Sequence, residues 1–327
     1  MDRTFNFDTE RAKTIFKGLI ADYKENKINV CYHFEICADL IDEETVEILK
    51  TAPLNLFRFE IGVQSTNEQV LKNINRFFKP EKTLEKIRLL RSAENIPLHL
   101  DLICGLPGED LESIKKSFDE VYLLSDCLQL GFLKLLHGTE LRNSSEKYGM
   151  SFLKQPPYTV LETQTLSFSQ LSALRHIEKA MDIFESDSFL ESRKYIMQRI
   201  PSPYEFYFKL STEKELFSLS RKRQYGFILR FSENYLSRYI DIRILNSYLL
   251  FDFLLNNQGT PPSELLPPTD NNLNAGKEIL KDYIKNSQIE TLHFPSCELY
   301  NFEFDTKNTF ILDRKQRLFK LIPKIVF

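Results

Sequence analysis

The chain has 327 residues, of which 42% are apolar and 27% charged, the composition of an ordinary globular protein of about two domains. Its 43 basic and 46 acidic residues give a net charge of −3, without the clustered basic excess of nucleic-acid-binding proteins. No apolar run approaches the ~20 residues that cross a bilayer, and no secretory leader is visible. Five scattered cysteines without a CxxC indicate a reducing, cytoplasmic location. From the charge and the apolar runs we expect neither a nucleic-acid nor a membrane partner.

Short β-rich runs alternate with amphipathic helical runs in the first half of the chain. In chain order we predict a helix capped by Asp8 and ending near 26, a strand 29–36, a helix capped by Asp42, a strand 56–63, a short helix from Asn67, a helix 80–94, a strand 98–104, a helix 110–124 and a strand 128–135. The strands are far enough apart for crossover helices, which predicts a parallel sheet. Residues 2–7 resemble the end of a strand whose beginning is missing, so we expect the sheet to be part of a larger one.

The second half loses this alternation. Pro156-Pro157 predicts a linker, and 259–268 a second Pro-rich break. Between and after them we predict helices at 169–185, over much of 202–220, at 235–255 and at 275–286, and β-like runs at 290–294, 299–304 and 319–327. The sequence thus predicts two domains, a β/α domain at 1–149 and a mostly helical domain with a small antiparallel end at 150–327.

Polar residues at the carboxyl ends of the strands are the candidate ligand-binding groups, because ligands of parallel α/β folds bind there. Glu35 ends the first strand, where a sheet-end salt bridge is the competing explanation. Gly62 allows a ligand to approach the backbone, and Gln64 follows it at the strand exit. Arg76 is placed to fold back as a carboxylate clamp, or it is simply a charge at a helix end. Asp101 lies on the third strand.

Other polar positions carry weaker expectations. The turn GLPGE at 105–109 leads into a helix whose N-terminus suits an anion, or it is an ordinary βα turn. His99 is more readily a core histidine than a ligand, and His137 has no visible partner. One face of the first strand carries Cys31, His33, Glu35 and Cys37. Since Cys31 and Cys37 lie roughly 20 Å apart in an extended strand, one metal ion cannot join them.

Several segments, in this order, resemble radical S-adenosylmethionine (SAM) enzymes: DRTFNFD, HFEICADLID, FEIGVQSTNEQVLKNINR, DLICGLPGED and LLHGTEL. The resemblance is strongest to the subgroup with an N-terminal cobalamin-binding domain. From PPYTVLET onward the chain is similar to a C-terminal domain of unknown function found in some of those proteins. The resemblance covers essentially the whole chain and implies an α/β fold, a partial (β/α) TIM-like barrel made of its third to sixth strands.

The resemblance also implies roles for the strand-end residues. Glu35 would contact the ribose of SAM, Arg76 would lie near its methionine carboxylate, and Asp101 would lie near the ribose or amino group. The same pocket would be lined by Gly62, Val63, Gln64 and the backbone around Leu135.

One departure from the family is large. Radical SAM enzymes hold a 4Fe-4S cluster with a CxxxCxxC loop, and these 327 residues contain no such loop and no glycine-rich segment after the first helix. We therefore expect an N-terminally truncated member with a partial SAM site, inactive on its own. The complete enzyme would carry the cluster and cobalamin, and would generate a 5′-deoxyadenosyl radical that abstracts hydrogen from an unknown, small-molecule or other substrate.

Two alternatives stay open. In the first alternative, the chain is a non-catalytic binding module that complements a separate N-terminal half through an exposed sheet edge. Alternatively it is an unrelated aldolase-like α/β enzyme, for which Lys134 is the only candidate lysine at a strand end.

Overall fold

The computed structural model describes residues 4–26, 30–257, 259–265, 297–303, 307–313 and 318–322. The chain forms two compact units, 1–178 with 202–208, and 179–201 with 209–327. Residues 150–178 therefore belong to the first compact unit. The predicted border between two separately folding domains, after residue 149, stays a prediction.

The first unit is built on one parallel sheet with the strand order β1-β2-β3-β4. Its elements are α1 (Thr9–Asn26), β1 (Tyr32–Glu35), α2 (Glu43–Lys50), β2 (Phe57–Gln64), α3 (Glu68–Asn73), α4 (Pro80–Arg91), β3 (Leu98–Cys104), α5 (Leu111–Tyr122) and β4 (Cys127–Phe132). Each strand is followed by helical segments that return the chain to the start of the next strand. The predicted α/β class with a partial (β/α) barrel is confirmed.

Acidic caps fix where the first two helices begin. Asp8 Oδ1 accepts a hydrogen bond from Arg11 N at 3.0 Å, and Asp42 Oδ1 accepts one from Thr45 N at 2.8 Å. The side chain of Lys13 on α1 is 6% exposed and lies 2.8 Å from Asp42 Oδ2. The predicted caps are confirmed, and one of them also ties α1 to α2.

The sequence suggested a strand end at residues 2–7, but the described part of this segment, residues 4–7, is not a strand. Phe5–Phe7 form a single 3-10 turn. Asn6 takes the place of a strand neighbour beside the end of β1, because its side-chain amide donates to Cys37 O (2.9 Å) and accepts from Cys37 N (2.8 Å). The ring of Phe5 meanwhile packs 4.1 Å from that of Phe34. The residues before α1 thus contact the end of β1 through side chains and not through main-chain strand pairing.

The predicted linker at Pro156-Pro157 is also wrong. These prolines lie between two short antiparallel strands, β5 (Ser151–Phe152) and β6 (Val160–Glu162). Tyr158 and Val160 also bond to the chain that follows β4. Leu135 N donates to Tyr158 O and Val160 N donates to Leu133 O, both at 2.9 Å. Prolines suit this segment because it forms a turn at the edge of the sheet.

Mostly helical structure follows, as predicted, with an antiparallel three-stranded end. The elements after β4, besides β5 and β6, are α6 (Glu140–Asn143), α7 (Phe168–Phe184), α8 (Leu190–Met197), α9 (Pro203–Thr212), α10 (Arg221–Tyr235), α11 (Ile242–Asn256), β7 (Cys297–Glu303), β8 (Lys307–Asp313) and β9 (Leu318–Ile322). The helix predicted at 235–255 begins too early, because Asp241 caps α11 by accepting from Arg243 N at 2.9 Å. The predicted helix 275–286 and strand 290–294 lie outside the described residues.

Within the described part of the chain, no helix combines the length and the apolar character that crossing a membrane requires.

An aromatic cluster forms the centre of the core between α1 and the sheet. Phe16 is 0% exposed. Its ring centroid lies 5.2–5.6 Å from those of four other phenylalanines, which are Phe5, Phe34, Phe57 and Phe59. Rings at such separations contribute both apolar burial and favourable edge contacts.

We expect Phe16→Ala to lower the free energy of unfolding by about 3–5 kcal/mol, because it leaves a cavity among those rings. Phe7, 80% exposed, is the control, and Phe7→Ala should change little. Urea unfolding followed by circular dichroism measures both variants. Equal losses in the two would show that the cluster is not the core of this unit.

Candidate functional site

The two faces of the parallel sheet differ in character. Along β2 the residues Phe57, Phe59, Ile61 and Val63 are buried, while the alternate residues are Arg58, Glu60, Gly62 and Gln64. The same alternation puts His33 and Glu35 of β1, His99 and Asp101 of β3, and Gln129 of β4 on this second side, which we call the polar face. A charged face on a parallel sheet is unusual, since such sheets are normally apolar on both sides.

A bulge shapes the carboxyl end of β2. Gly62 is paired with Asp101, but the next pairing is Gln64 with Leu102, so one residue is extra on β2. Gln64 has φ +71°, a left-handed conformation that non-glycine residues adopt at an energetic cost. The side-chain amide of Gln64 lies over Gly62, where any Cβ would collide with it. The bulge therefore turns a polar side chain back over the strand.

Arg76 completes this arrangement. Two residues after α3 the chain passes through Asn75 with φ +59°, and Arg76 then folds back toward β2. Its Nη1 donates to Gly62 O at 2.8 Å, while its Nη2 lies 3.7 Å from the position a Cβ on Gly62 would take. The expected fold-back of Arg76 is what the structure shows. We call Gly62, Gln64 and Arg76 the cradle.

Asp101 lies beside the cradle, opposite Gly62. Burial raises the pKa of Asp101 to about 7, with further contributions from the charge of Glu60, a hydrogen bond to Glu60 and the charge of Glu35. Glu35 itself is exposed. The structure thus brings Glu35 and Asp101 to one face, within electrostatic range of each other, next to Gly62, Gln64 and Arg76.

Two expected lining residues are placed differently. The side chain of Val63 is 5% exposed and belongs to the apolar face of the sheet, because alternation along β2 points it away from Gly62. Leu135 is fully buried; its N–H donates to Tyr158 O and its carbonyl accepts from Arg142 at 2.6 Å. Both main-chain groups of Leu135 therefore already have partners within the chain.

Glu109, in the GLPGE turn, supports the bulge by accepting a hydrogen bond from the residue that follows Gln64. It is 1% exposed, and its Oε1 accepts from Ser65 Oγ at 2.5 Å and from Ser113 Oγ at 3.4 Å. Its carbonyl accepts from Thr165 Oγ1 at 2.7 Å. Burial raises the pKa of Glu109 to about 7, and the two serine bonds offset only part of that effect.

Further hydrogen bonds tie the segment after Gln64 to α5 and to the turn that precedes it. Thr66 N donates to Ser117 Oγ at 2.9 Å, and Asn73 Nδ2 donates to Pro107 O at 2.8 Å. Asp110 caps α5, so its N-terminus already carries a carboxylate and is not suited to the anion that the turn suggested.

The cysteines do not fit a metal cluster. Cys31 and Cys127 are exposed at the starts of β1 and β4, whereas Cys37 and Cys104 follow or end strands. Burial raises the pKa of both Cys37 and Cys104, which disfavours the thiolate that ligation needs. Among the residues that the structure describes, no three His, Cys, Asp or Glu side chains gather in a way that could hold a metal ion. The side chain of Cys297 is outside them.

Comparison with protein families gives one match in each half of the chain. Residues 146–311, just over half of the chain, match the family described as "Protein of unknown function (DUF4080)". The chain belongs to the DUF4080 family. Residues 6–121 match the radical SAM superfamily, so this DUF4080 protein carries a radical SAM domain, and that segment includes the cradle and Asp101.

Similarity to curated proteins is confined to part of the chain. The oxygen-independent coproporphyrinogen-III oxidase-like protein HemZ of Bacillus subtilis is 32% identical over 34% of this chain and 22% of its own length. The oxygen-independent coproporphyrinogen III oxidase of Pseudomonas aeruginosa is 33% identical over 28% of this chain and 20% of its own length. The DUF4080 protein therefore spans about a fifth of the length of these relatives.

Among solved structures, the radical SAM methyltransferase TsrM of Kitasatospora setae, with tryptophan and a SAM analogue bound, matches with a TM-score of 0.40 at 17% identity. That match covers 48% of this chain and 32% of TsrM.

Sequence reasoning missed Glu60 and Glu109. Glu60 has the same strand parity as Gly62 and Gln64, which was a usable signal for the polar face. Glu109 was visible only as part of a turn, and its burial against Ser65 depends on tertiary packing.

Glu109 should make stability depend on pH. Because its folded pKa is raised from about 4.5 to about 7, the folded protein holds a proton that the unfolded chain releases, so stability falls as pH rises through that interval. We expect Glu109→Gln to remove a fall on the order of 3 kcal/mol. Urea unfolding across this pH range measures it.

The matched control is Glu112→Gln, in the first turn of the helix that follows Glu109, with a side chain 80% exposed, which should leave the pH profile unchanged. An unaltered profile in Glu109→Gln would show that Glu109 is ionised without cost in the folded protein.

Proposed function

We propose that this DUF4080 chain is the SAM-binding part of a radical SAM enzyme, acting on an unidentified small-molecule or other substrate and inactive without residues from outside these 327. The observation that carries the proposal is the cradle beside Asp101, at the carboxyl ends of parallel strands within the radical SAM segment. Strand ends of this kind are where parallel α/β folds bind ligands.

The chemistry of SAM suits these residues. SAM has a carboxylate and an ammonium at one end and a ribose with two hydroxyls at the other. The free guanidinium nitrogens of Arg76 would bind the carboxylate, while Asp101 and Glu35 would accept hydrogen bonds from hydroxyl or ammonium groups. The Gln64 amide offers both a donor and an acceptor, and Gly62 leaves its backbone open to approach. In the complete enzyme, SAM supplies the adenosyl group.

A 4Fe-4S cluster and cobalamin belong to the proposal only as components of a larger assembly. The described cysteines do not fit a cluster, and the sequence has no CxxxCxxC loop. Cluster ligands would therefore come from residues beyond this chain of 327, and cobalamin would bind outside it as well. A cytoplasmic location is part of the same proposal.

A second candidate function is a non-catalytic partner module that completes a separate N-terminal half. The observation that favours it is β1, a strand of four residues at the end of the sheet, hydrogen-bonded in the described structure to β2 alone. An open strand edge is a ready template for pairing with another chain. Reading the nucleotides upstream of Met1 for a frame that encodes CxxxCxxC tests this candidate.

Arg76→Ala should weaken SAM binding at least tenfold, because it removes a charge-assisted hydrogen bond worth about 1.5–3 kcal/mol. Arg76→Lys should fall between, since a lysine keeps the charge but not the fork. Isothermal titration calorimetry with SAM measures both. The control is Arg88→Ala, which removes an exposed arginine of α4. Equal affinity in Arg76→Ala and the wild type would contradict the proposed site.

Anaerobic reconstitution with iron and sulfide should give no cluster absorbance and, with SAM and a reductant, no 5′-deoxyadenosine. The reason is that cluster ligation needs thiolates that converge on one compact site. Iron analysis and chromatography measure the two outcomes. Either a stable cluster or 5′-deoxyadenosine would contradict the proposal that the cluster ligands come from outside this chain.

A further inference from the structure

Glu60 is the acidic neighbour of Asp101 on the polar face. The residue opposite Asp101 on β2 is Gly62, which has no side chain, and Glu60 precedes it by two positions on the same side of the strand. Diagonal neighbours of this kind lie within reach of long side chains. Nothing in the sequence assigned a function to Glu60.

The surroundings of this pair are poor in positive charge. The titratable or charged groups that face it from the four strands are His33, Glu35, Arg58, His99 and Cys127. Glu60 Oε2 lies 3.1 Å from His33 Nε2, and Arg76 from beyond α3 is bonded to the carbonyl of Gly62. Within the described structure no Lys or Arg forms an ion pair with Asp101 or Glu60.

One oxygen of Asp101 and one ring nitrogen of the neighbouring His99 are buried without a hydrogen-bond partner among the described residues. These atoms, Asp101 Oδ1 and His99 Nε2, are 3.6 Å apart. Burial lowers the pKa of His99, which keeps the ring neutral near pH 7 and removes it as a counter-charge. An ionised Asp101 would thus be buried beside a second carboxylate, with no Lys or Arg paired to either among the described residues, which is costly.

We propose that Glu60 acts through Asp101: the two carboxyl groups hold one proton between them, and SAM, on binding to ionised Asp101, expels that proton to the solvent. The inference rests on the proposed function, because it assigns to Glu60 the control of SAM affinity by pH. Glu60 is a positioning residue in this scheme and does not touch SAM.

The direction of the effect follows from the charges. The pKa of Asp101 is about 7, raised first by burial and then by Glu60, so below that pH Asp101 is protonated and has lost acceptor capacity. SAM affinity should therefore fall by up to about tenfold per pH unit below about 7. Removing the charge of Glu60 lowers the pKa of Asp101 and moves this midpoint to lower pH.

The experiment measures SAM dissociation constants by calorimetry between pH ~5.5 and ~8.5. Glu60→Gln should move the midpoint of the affinity profile down by about one pH unit. Glu60→Asp, which keeps the charge, should retain a raised midpoint. The control is Glu47→Gln, which removes an exposed carboxylate of α2 whose side chain is 69% exposed. The amino group of SAM titrates equally for every variant and cancels in the comparison.

Two further readouts separate the inference from the proposed function. Titrations in buffers of different ionisation enthalpy should show about one proton released per SAM bound below the midpoint, and less in Glu60→Gln. Carbon NMR of the Asp101 carboxyl group, without SAM, should show a raised pKa that falls in Glu60→Gln. A normal pKa, or an unchanged midpoint in Glu60→Gln, overturns the inference while leaving SAM binding intact. Absence of SAM binding at every pH overturns both.

Discussion

The bulge at the end of β2 is the feature on which the candidate site depends. It places Gln64 in a left-handed conformation, turns its amide over Gly62 and leaves the carbonyl of Gly62 for Arg76. A regular strand would keep Gln64 on the same face as Gly62 but would not turn its side-chain amide back over that glycine. The conformational cost of a non-glycine residue at positive φ is of the order of 1–3 kcal/mol, and it persists only where surrounding contacts determine it.

Those contacts come from the GLPGE turn and α5. Ser65, directly after Gln64, bonds to the buried carboxyl of Glu109, and Thr66 bonds to Ser117. Two of the five segments that carry the family resemblance are therefore parts of one hydrogen-bonded unit. Thr165 also bonds to the carbonyl of Glu109, and it belongs to the segment matched by the DUF4080 family. The family-specific region thus contributes directly to the support of the radical SAM segment.

The polar face adds an electrostatic constraint. Among the described residues no Lys or Arg forms an ion pair with Glu60 or Asp101, and burial lowers the pKa of His99, so that ring adds no positive charge near pH 7. Such an arrangement costs stability unless protons or a ligand relieve it. Groups whose pKa values are displaced by burial and by like charges tend to occur at functional sites, and here they lie next to the cradle.

The sequence by itself determined the parallel sheet, the helix caps at Asp8 and Asp42, and the placement of Glu35, Gly62 and Asp101 on successive strands, because alternation and capping are local properties. It also determined that no CxxxCxxC loop is present. Only the tertiary structure decided that Phe5–Phe7 form a turn, that Glu109 supports the bulge and that Glu60 lies beside Asp101. These outcomes depend on which side chains meet across elements far apart in the chain, and no local pattern encodes that.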